Sequence, residues 1–146
     1  NGGCHGHGKF SVQAIGKLKQ KHPEAVVMAH LECKAPVLAV ADVKGSTATM
    51  LHYAQEHPEI KEYIIATEAG ILHELERNCP NVIFYPVPPE VSEGGVGCSC
   101  NECEYMKMNT LKKIYNALKF GWPTVEVAPE IAKKAVKPIE KMLSLS

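Results

Sequence analysis

Ala25-Val26-Val27-Met28-Ala29, followed at once by His30-Leu31-Glu32, is the stretch that decides the fold. The apolar run is short and shows no polar alternation, the pattern of a strand covered on both faces. Pro23 closes the segment before it, where Phe10, Ala14, Ile15 and Leu18 recur at helical spacing and predict a helix over 9–21. The same pattern returns downstream. Tyr63-Ile64-Ile65-Ala66-Thr67 and Val82-Ile83-Phe84-Tyr85 read as two further buried strands, and Thr124-Val125-Glu126-Val127 as a fourth. Helices are predicted between and after them. One spans 35–41 with Pro36 in its first turn, and one runs from Ser46 or Thr47 as N-cap to about His57. The others span 69–78, 108–120 and 129–143, the last with Pro138 as a kink. Residues 86–107 form a long Pro- and Gly-bearing loop, a length that points to function or disorder.

Strands alternating with helices imply βαβ units. The fold class is therefore α/β, a three-layer αβα arrangement around a parallel four-stranded sheet. In such sheets ligands sit beyond the carboxyl ends of the strands, which is where His30 and Glu32 fall.

Composition bounds the function. The chain has 146 residues, 45% hydrophobic and 22% charged, enough to bury an ordinary core. Lys plus Arg and Asp plus Glu both number 16, so the zero net charge offers no basic field for nucleic acid. The apolar runs are far shorter than the ~20 residues of a membrane span. The polar start Asn1–Gly8 lacks the apolar stretch of a secretory signal. The absence of an initiator Met beside a terminal Cys/His cluster predicts a fragment of a longer chain.

The six cysteines are unevenly placed. Cys98, Cys100 and Cys103 crowd into one loop, which in a cytoplasmic protein points to metal or redox chemistry. Cys4, His5 and His7 read either as ligands or as a plain polar terminus. Cys33 and Cys79, beside apolar segments, read as small buried hydrophobes. His30 and Glu32, two residues apart, form a proton-transferring pair or a solvated turn. Gly45-Ser46-Thr47 opens a helix whose free N–H groups suit a carboxylate or phosphate, or simply cap it. Thr67-Glu68-Ala69-Gly70 reads as a second cap. Met106 and Met108 line a cluster pocket or, at helical spacing, a core. His22, His52, His57 and His73 read as surface or capping residues.

Five segments in one order resemble the quinolinate synthase (NadA) family. They are Asn1-Gly2-Gly3-Cys4-His5-Gly6-His7, with Gly6 where Val is usual, and Ala29-His30-Leu31-Glu32-Cys33, with Leu31 in place of Pro. The others are Val43-Lys44-Gly45-Ser46-Thr47, Ile65-Ala66-Thr67-Glu68-Ala69-Gly70-Ile71 and Cys103-Glu104-Tyr105-Met106-Lys107-Met108-Asn109. The resemblance implies three αβα domains in pseudo-threefold arrangement around one [4Fe-4S] cluster held by three cysteines, with the fourth iron a Lewis acid. It implies a transferase of NAD biosynthesis that condenses iminoaspartate with dihydroxyacetone phosphate, and an L-aspartate oxidase or dehydrogenase as the source of iminoaspartate. Carried over, Cys4 and Cys103 are cluster ligands, His30 and Glu32 are catalytic and substrate-binding, and Ser46 and Thr47 bind substrate. Gly97 stands where many members have a cysteine, and the roles of Cys98 and Cys100 stay open. Residues 1–22 would end a preceding αβα domain and 23–146 would be the carboxy-terminal one. The third cluster ligand lies outside this chain, so the isolated chain is expected to be inactive. The alternative is a non-catalytic Cys-rich metal-binding or redox module.

Overall fold

The structure, a computed structural model, describes residues 4–90 and 101–145. Contacts divide the chain into two units, Asn1–Lys107 and Met108–Ser146.

The first unit begins with a 3₁₀ turn at His7–Lys9, after which Ser11 caps helix α1 (Val12–Lys21), its Oγ accepting from the Ala14 N–H at 3.2 Å. Strand β1 (Val26–His30), helix α2 (Ala35–Val40) and strand β2 (Val43–Gly45) follow. Helix α3 (Thr47–Glu56), strand β3 (Glu62–Ala66), helix α4 (Ile71–Asn78) and strand β4 (Ile83–Pro86) complete the alternation, and α5 (Glu104–Lys107) is a short terminal turn of helix. The four strands form one sheet, ordered β2-β1-β3-β4, with every pairing parallel.

Side chains alternate across this sheet and build two cores. Val27, Ala29, Ile64 and Ala66 pack with Phe10, Ile15 and Val37, so α1 and α2 cover one face. Met28, Tyr63, Ile65 and Phe84 pack with Met50, Ala54 and Leu75, so α3 and α4 cover the other. The three-layer, all-parallel architecture is the one the apolar runs predict. Helix α1, assigned from the sequence to the end of a preceding domain, lies in the same layer as α2. Phe10 and Ile15 are buried there at 1% and 2% exposure.

The fourth strand is not the expected one. Among the described residues, 124–127 form no strand, because a strand needs a ladder partner and these residues have none. Its place is taken by Val43–Gly45, whose Lys and Gly conceal it from periodicity. Asp42 starts this ladder: its carboxylate accepts from the Val27 N–H at 2.8 Å and its own N–H donates to the Val27 carbonyl. Val43 then pairs with Met28 and Gly45 with His30.

In the second unit, the helix expected over 108–120 starts later, as α6 (Leu111–Phe120). Thr110 caps it and accepts from the Lys113 N–H at 3.2 Å. Gly121 closes α6 at φ 62°, a left-handed conformation that glycine adopts without a Cβ penalty. Helix α7 (Pro129–Leu143) has the expected bounds and contains Pro138. Met106 and Met108 are 58% and 62% exposed, so neither is core.

Candidate active site

The strand order reverses between β1 and β3: β1 connects outward to β2, and β2 crosses back to β3. A crevice opens at the carboxyl ends flanking such a switch point. There the structure gathers His30 from the end of β1, Glu32 from the turn after it, and Thr67 and Glu68 from the end of β3.

The segment Cys4–Phe10 docks over this crevice. The Gly8 N–H donates to the Cys4 carbonyl at 3.1 Å, the Lys9 N–H to Gly6 at 3.2 Å, and Phe10 anchors the segment in the core. The stretch is not a free polar terminus, since its backbone bonds and Phe10 hold it against the unit. His7 is 8% exposed. Its Nε2 lies 2.9 Å from Thr67 Oγ1, and its ring stacks on His30 with centroids 4.1 Å apart and planes 10° apart. Its Nδ1 lies 3.3 Å from Glu32 Oε2 but off the line of a hydrogen bond, and no other group satisfies it. Burial, reinforced by the neighbouring His30, holds the His7 pKa below its ordinary value against the opposing pull of Glu32.

His30 and Glu32 form the expected pair. His30 Nδ1 lies 3.7 Å from Glu32 Oε2 and accepts the Glu32 backbone N–H at 3.2 Å. A neutral His30 that accepts at Nδ1 carries its proton on Nε2. The Glu32 side chain is 53% exposed, so it can meet an incoming molecule.

Cys4 and Cys103 come together across 99 positions of chain, both half-buried and lining one cavity of about 190 Å³ with His5, Gly6, Lys9 and Glu102. Glu68 holds the Cys103 side of this cavity. Its Oε2 accepts from the Gly70 N–H at 2.7 Å and its Oε1 from the Cys103 N–H at 3.3 Å. The Ala69 N–H donates to the carbonyl of buried Asn101 at 3.0 Å. The cap expected over Thr67-Glu68-Ala69-Gly70 is made by Gly70, whose N–H Glu68 holds, and Thr67 and Glu68 have further partners. Gly70 caps α4 without a side-chain bond, while Thr67 faces His7 and Glu68 binds the cysteine loop.

Ser46 caps α3: its Oγ accepts from the Thr49 N–H at 3.2 Å and lies 3.0 Å from Thr49 Oγ1. Ser46 and Thr47 are exposed at the helix start. The pairing of Gly45 with His30 puts that start at the same carboxyl end of the sheet as the His–Glu pair. Gly45 is required there, because a Cβ would lie 2.5 Å from the Thr49 side chain.

Cys33 and Cys79 are buried, as expected. Cys33 donates to the Ala66 carbonyl, and burial pushes its thiol up to about 11. Cys98 and Cys100 lie outside the described residues. His22 and His57 pair with Glu62 and Glu59 at the opposite end of the sheet, and His52 and His73 are exposed. His7 is a ligand candidate and Thr67-Glu68 part of a cap in the sequence, and neither reading brings them to the His30–Glu32 pair, where the structure places them. Their motifs were visible, but their mutual contacts are not local in the chain.

The donor chemistry of the Cys4–Cys103 cavity fits an iron–sulfur cluster as a partial ligand set. Two soft sulfur ligands open on one space, and neither is in a disulfide.

Residues 1–144 match the family model described as "Quinolinate synthetase A protein" (NadA). Proteins named quinolinate synthase are similar along the whole chain. That of Prochlorococcus marinus (strain MIT 9303) is 44% identical over 144 residues, covering 99% of this chain and 41% of the relative. That of Synechococcus sp. is 38% identical over 146 residues, covering 100% and 44%. That of Chloroherpeton thalassium is 41% identical over 145 residues, covering 99% and 44%. The chain thus spans less than half the length of these relatives.

Proposed function

Given that this chain belongs to the quinolinate synthetase A (NadA) family, we propose that it forms one αβα unit of a pseudo-threefold quinolinate synthase acting in NAD biosynthesis. The reaction condenses iminoaspartate with dihydroxyacetone phosphate, releasing inorganic phosphate and two waters, so the atoms balance without an oxidant. An L-aspartate oxidase or dehydrogenase supplies iminoaspartate, and the enzyme works in the cytoplasm. No helix among the described residues is long and apolar enough to cross a membrane.

One observation carries this reading: Cys4 and Cys103 line one cavity, and Cys4 also lies near Glu32 of the His30–Glu32 pair. Ligand atoms of Cys4, His7 and Glu32 lie within 4.8 Å of one another. Cys4 and Cys103 hold two corners of a [4Fe-4S] cluster, and the third ligand comes from outside this chain. When bound, the cluster supplies a Lewis-acidic iron.

The protein's own groups do the rest. Glu32, exposed and next to His30, accepts a proton from a substrate carbon or nitrogen. His30 fixes the Glu32 backbone through its Nδ1 and presents Nε2–H as a donor. The start of α3, with Ser46 and Thr47 and the positive end of the helix dipole, holds a substrate carboxylate or phosphate. The buried His7 keeps bulk water from the inner side of the pair. The test is quinolinate formation by the whole enzyme after anaerobic iron–sulfide reconstitution, with and without Glu32→Gln. An enzyme that turns over equally in both forms sinks the role of Glu32. A parent that makes no quinolinate sinks the reading.

A further inference from the structure

We propose that Cys4 Sγ, His7 Nδ1 and the Glu32 carboxylate form a mononuclear site for a divalent cation of the zinc class, distinct from the cluster and exclusive with it.

One ligand atom from each of these three residues lies within 4.8 Å of the others. A tetrahedral zinc site with metal–ligand distances of about 2.0–2.3 Å has ligand–ligand edges of about 3.3–3.8 Å. His7 Nδ1 and Glu32 Oε2 already stand at such an edge, 3.3 Å apart. The ring of His7 selects the ligand atom. Nε2 is taken by Thr67 Oγ1 at 2.9 Å, which leaves Nδ1 buried, without a hydrogen-bond partner, and 3.3 Å from Glu32 Oε2. With the proton on Nε2, the Nδ1 lone pair and the carboxylate oxygen face each other as two acceptors. Such a pair is favourable when a cation lies between them. Thr67 then plays the part of the outer-sphere partner that fixes tautomer and ring orientation of a metal-bound histidine.

Sulfur, imidazole and carboxylate together favour zinc or cobalt over the hard cations magnesium and calcium. Three protein ligands with one open position also match the coordination of non-structural zinc sites. A thiolate bound to this ion is not available to an iron–sulfur cluster, and a metal-bound Glu32 cannot take a proton. A zinc-class ion is thus an inhibitor of cluster loading, a consequence that rests on the function proposed above, whereas the binding does not. Cys103 separates the two: the cluster requires it and the mononuclear site does not.

The reduced, metal-free 146-residue chain is titrated anaerobically with Co²⁺, followed by the thiolate-to-cobalt charge-transfer absorption and by displacement with Zn²⁺. Far-UV circular dichroism checks the fold of every variant. One Co²⁺ per chain is expected. Cys4→Ser abolishes the band, Glu32→Gln weakens binding, and Thr67→Val weakens it by about 10–100-fold. The triple variant Cys98→Ser, Cys100→Ser, Cys103→Ser keeps it. Absence of the band, its survival in Cys4→Ser, unchanged affinity in Glu32→Gln, or its loss in the folded triple variant overturns the assignment.

Discussion

The Glu68 carboxylate accepts a hydrogen bond from the Cys103 backbone N–H at 3.3 Å, across 35 residues of chain, while its other oxygen accepts from Gly70 N–H at 2.7 Å. An acid at the carboxyl end of β3 therefore fixes the backbone that presents one cysteine of the cavity. A hydrogen bond to a charged group contributes about 1.5–3 kcal/mol. Glu68→Ala is expected to raise alkylation of the Cys103 thiol and amide exchange at Cys103 by roughly tenfold or more. Buried Cys33 stays protected and the global stability changes little. Unchanged reactivity at Cys103 would show that the loop is held by other contacts, the Ala69–Asn101 bond first among them.

Cys103 and Cys79 offer a sharper contrast, since one opens on the cavity and the other sits in the core beneath α4. In the whole enzyme, Cys103→Ser is expected to lose the cluster, read as iron and acid-labile sulfide after anaerobic reconstitution. Cys79→Ser should retain it and lose only stability, because a hydroxyl replaces a buried thiol. Equal loss in both variants would remove Cys103 from the ligand set.

The layer architecture and the parallel sheet are legible because Val26–Ala29 and Tyr63–Ala66 are apolar on both faces, a property of the segment itself. The His30–Glu32 pair is legible for the same reason: it follows a strand directly. What the sequence hides depends on partners distant in the chain. Val43–Gly45 is a strand only because Asp42 pins it to Val27. Thr67 and Glu68 have the residue types of a cap, and their distant partners, His7 and the Cys103 N–H, come from segments far off in the chain. The segment before Phe10 reads as ligands or as a polar terminus, and only the burial of Phe10 in the core shows that it is held in place.

Tyr63 carries a misfit within the core. Its hydroxyl is buried without a hydrogen-bond partner, and its ring stacks on Phe84 with centroids 5.6 Å apart. Burial pushes the phenol up to about 12 from its ordinary 10. The neutral form is the one the fold accepts. The folded pKa is raised, so stability is intact below pH 10 and falls as pH rises toward 12. Tyr63→Phe is expected to stabilise the unit by about 1 kcal/mol at neutral pH, since it removes an unsatisfied hydroxyl. It should also flatten the alkaline loss. Chemical denaturation at pH 7 and pH 11 measures both. A variant destabilised at pH 7 would mean that the hydroxyl has a partner.

Glu32→Gln, in the whole enzyme, keeps the size of the side chain and removes its basicity. Loss of one general acid–base group costs about 10²–10⁴ in rate. Turnover should fall by that factor while the cluster content stays that of the parent. Turnover equal to the parent would leave Glu32 as a solvated turn residue beside His30.

The 146-residue chain alone is expected to make no quinolinate even after iron–sulfide reconstitution. Among the described residues, Cys4 and Cys103 are the thiols that open on the cavity, while Cys33 and Cys79 are buried. Two thiolates do not hold a four-iron cluster with one iron left for substrate, and the family resemblance calls for three cysteines from three domains. The chain spans 41% of the length of one relative and 44% of another. On the proposed reading, the third ligand and the facing half of the pocket come from elsewhere in the whole protein. The unit around β1–β4 has both of its helical layers, so a cooperative unfolding transition is expected even though activity is absent. Anaerobic assay with iminoaspartate and dihydroxyacetone phosphate measures the activity, and thermal unfolding measures the fold. Turnover comparable to that of a full-length relative would show that this chain completes its site unaided, with a thiol from 91–100 or from a second copy as the third ligand.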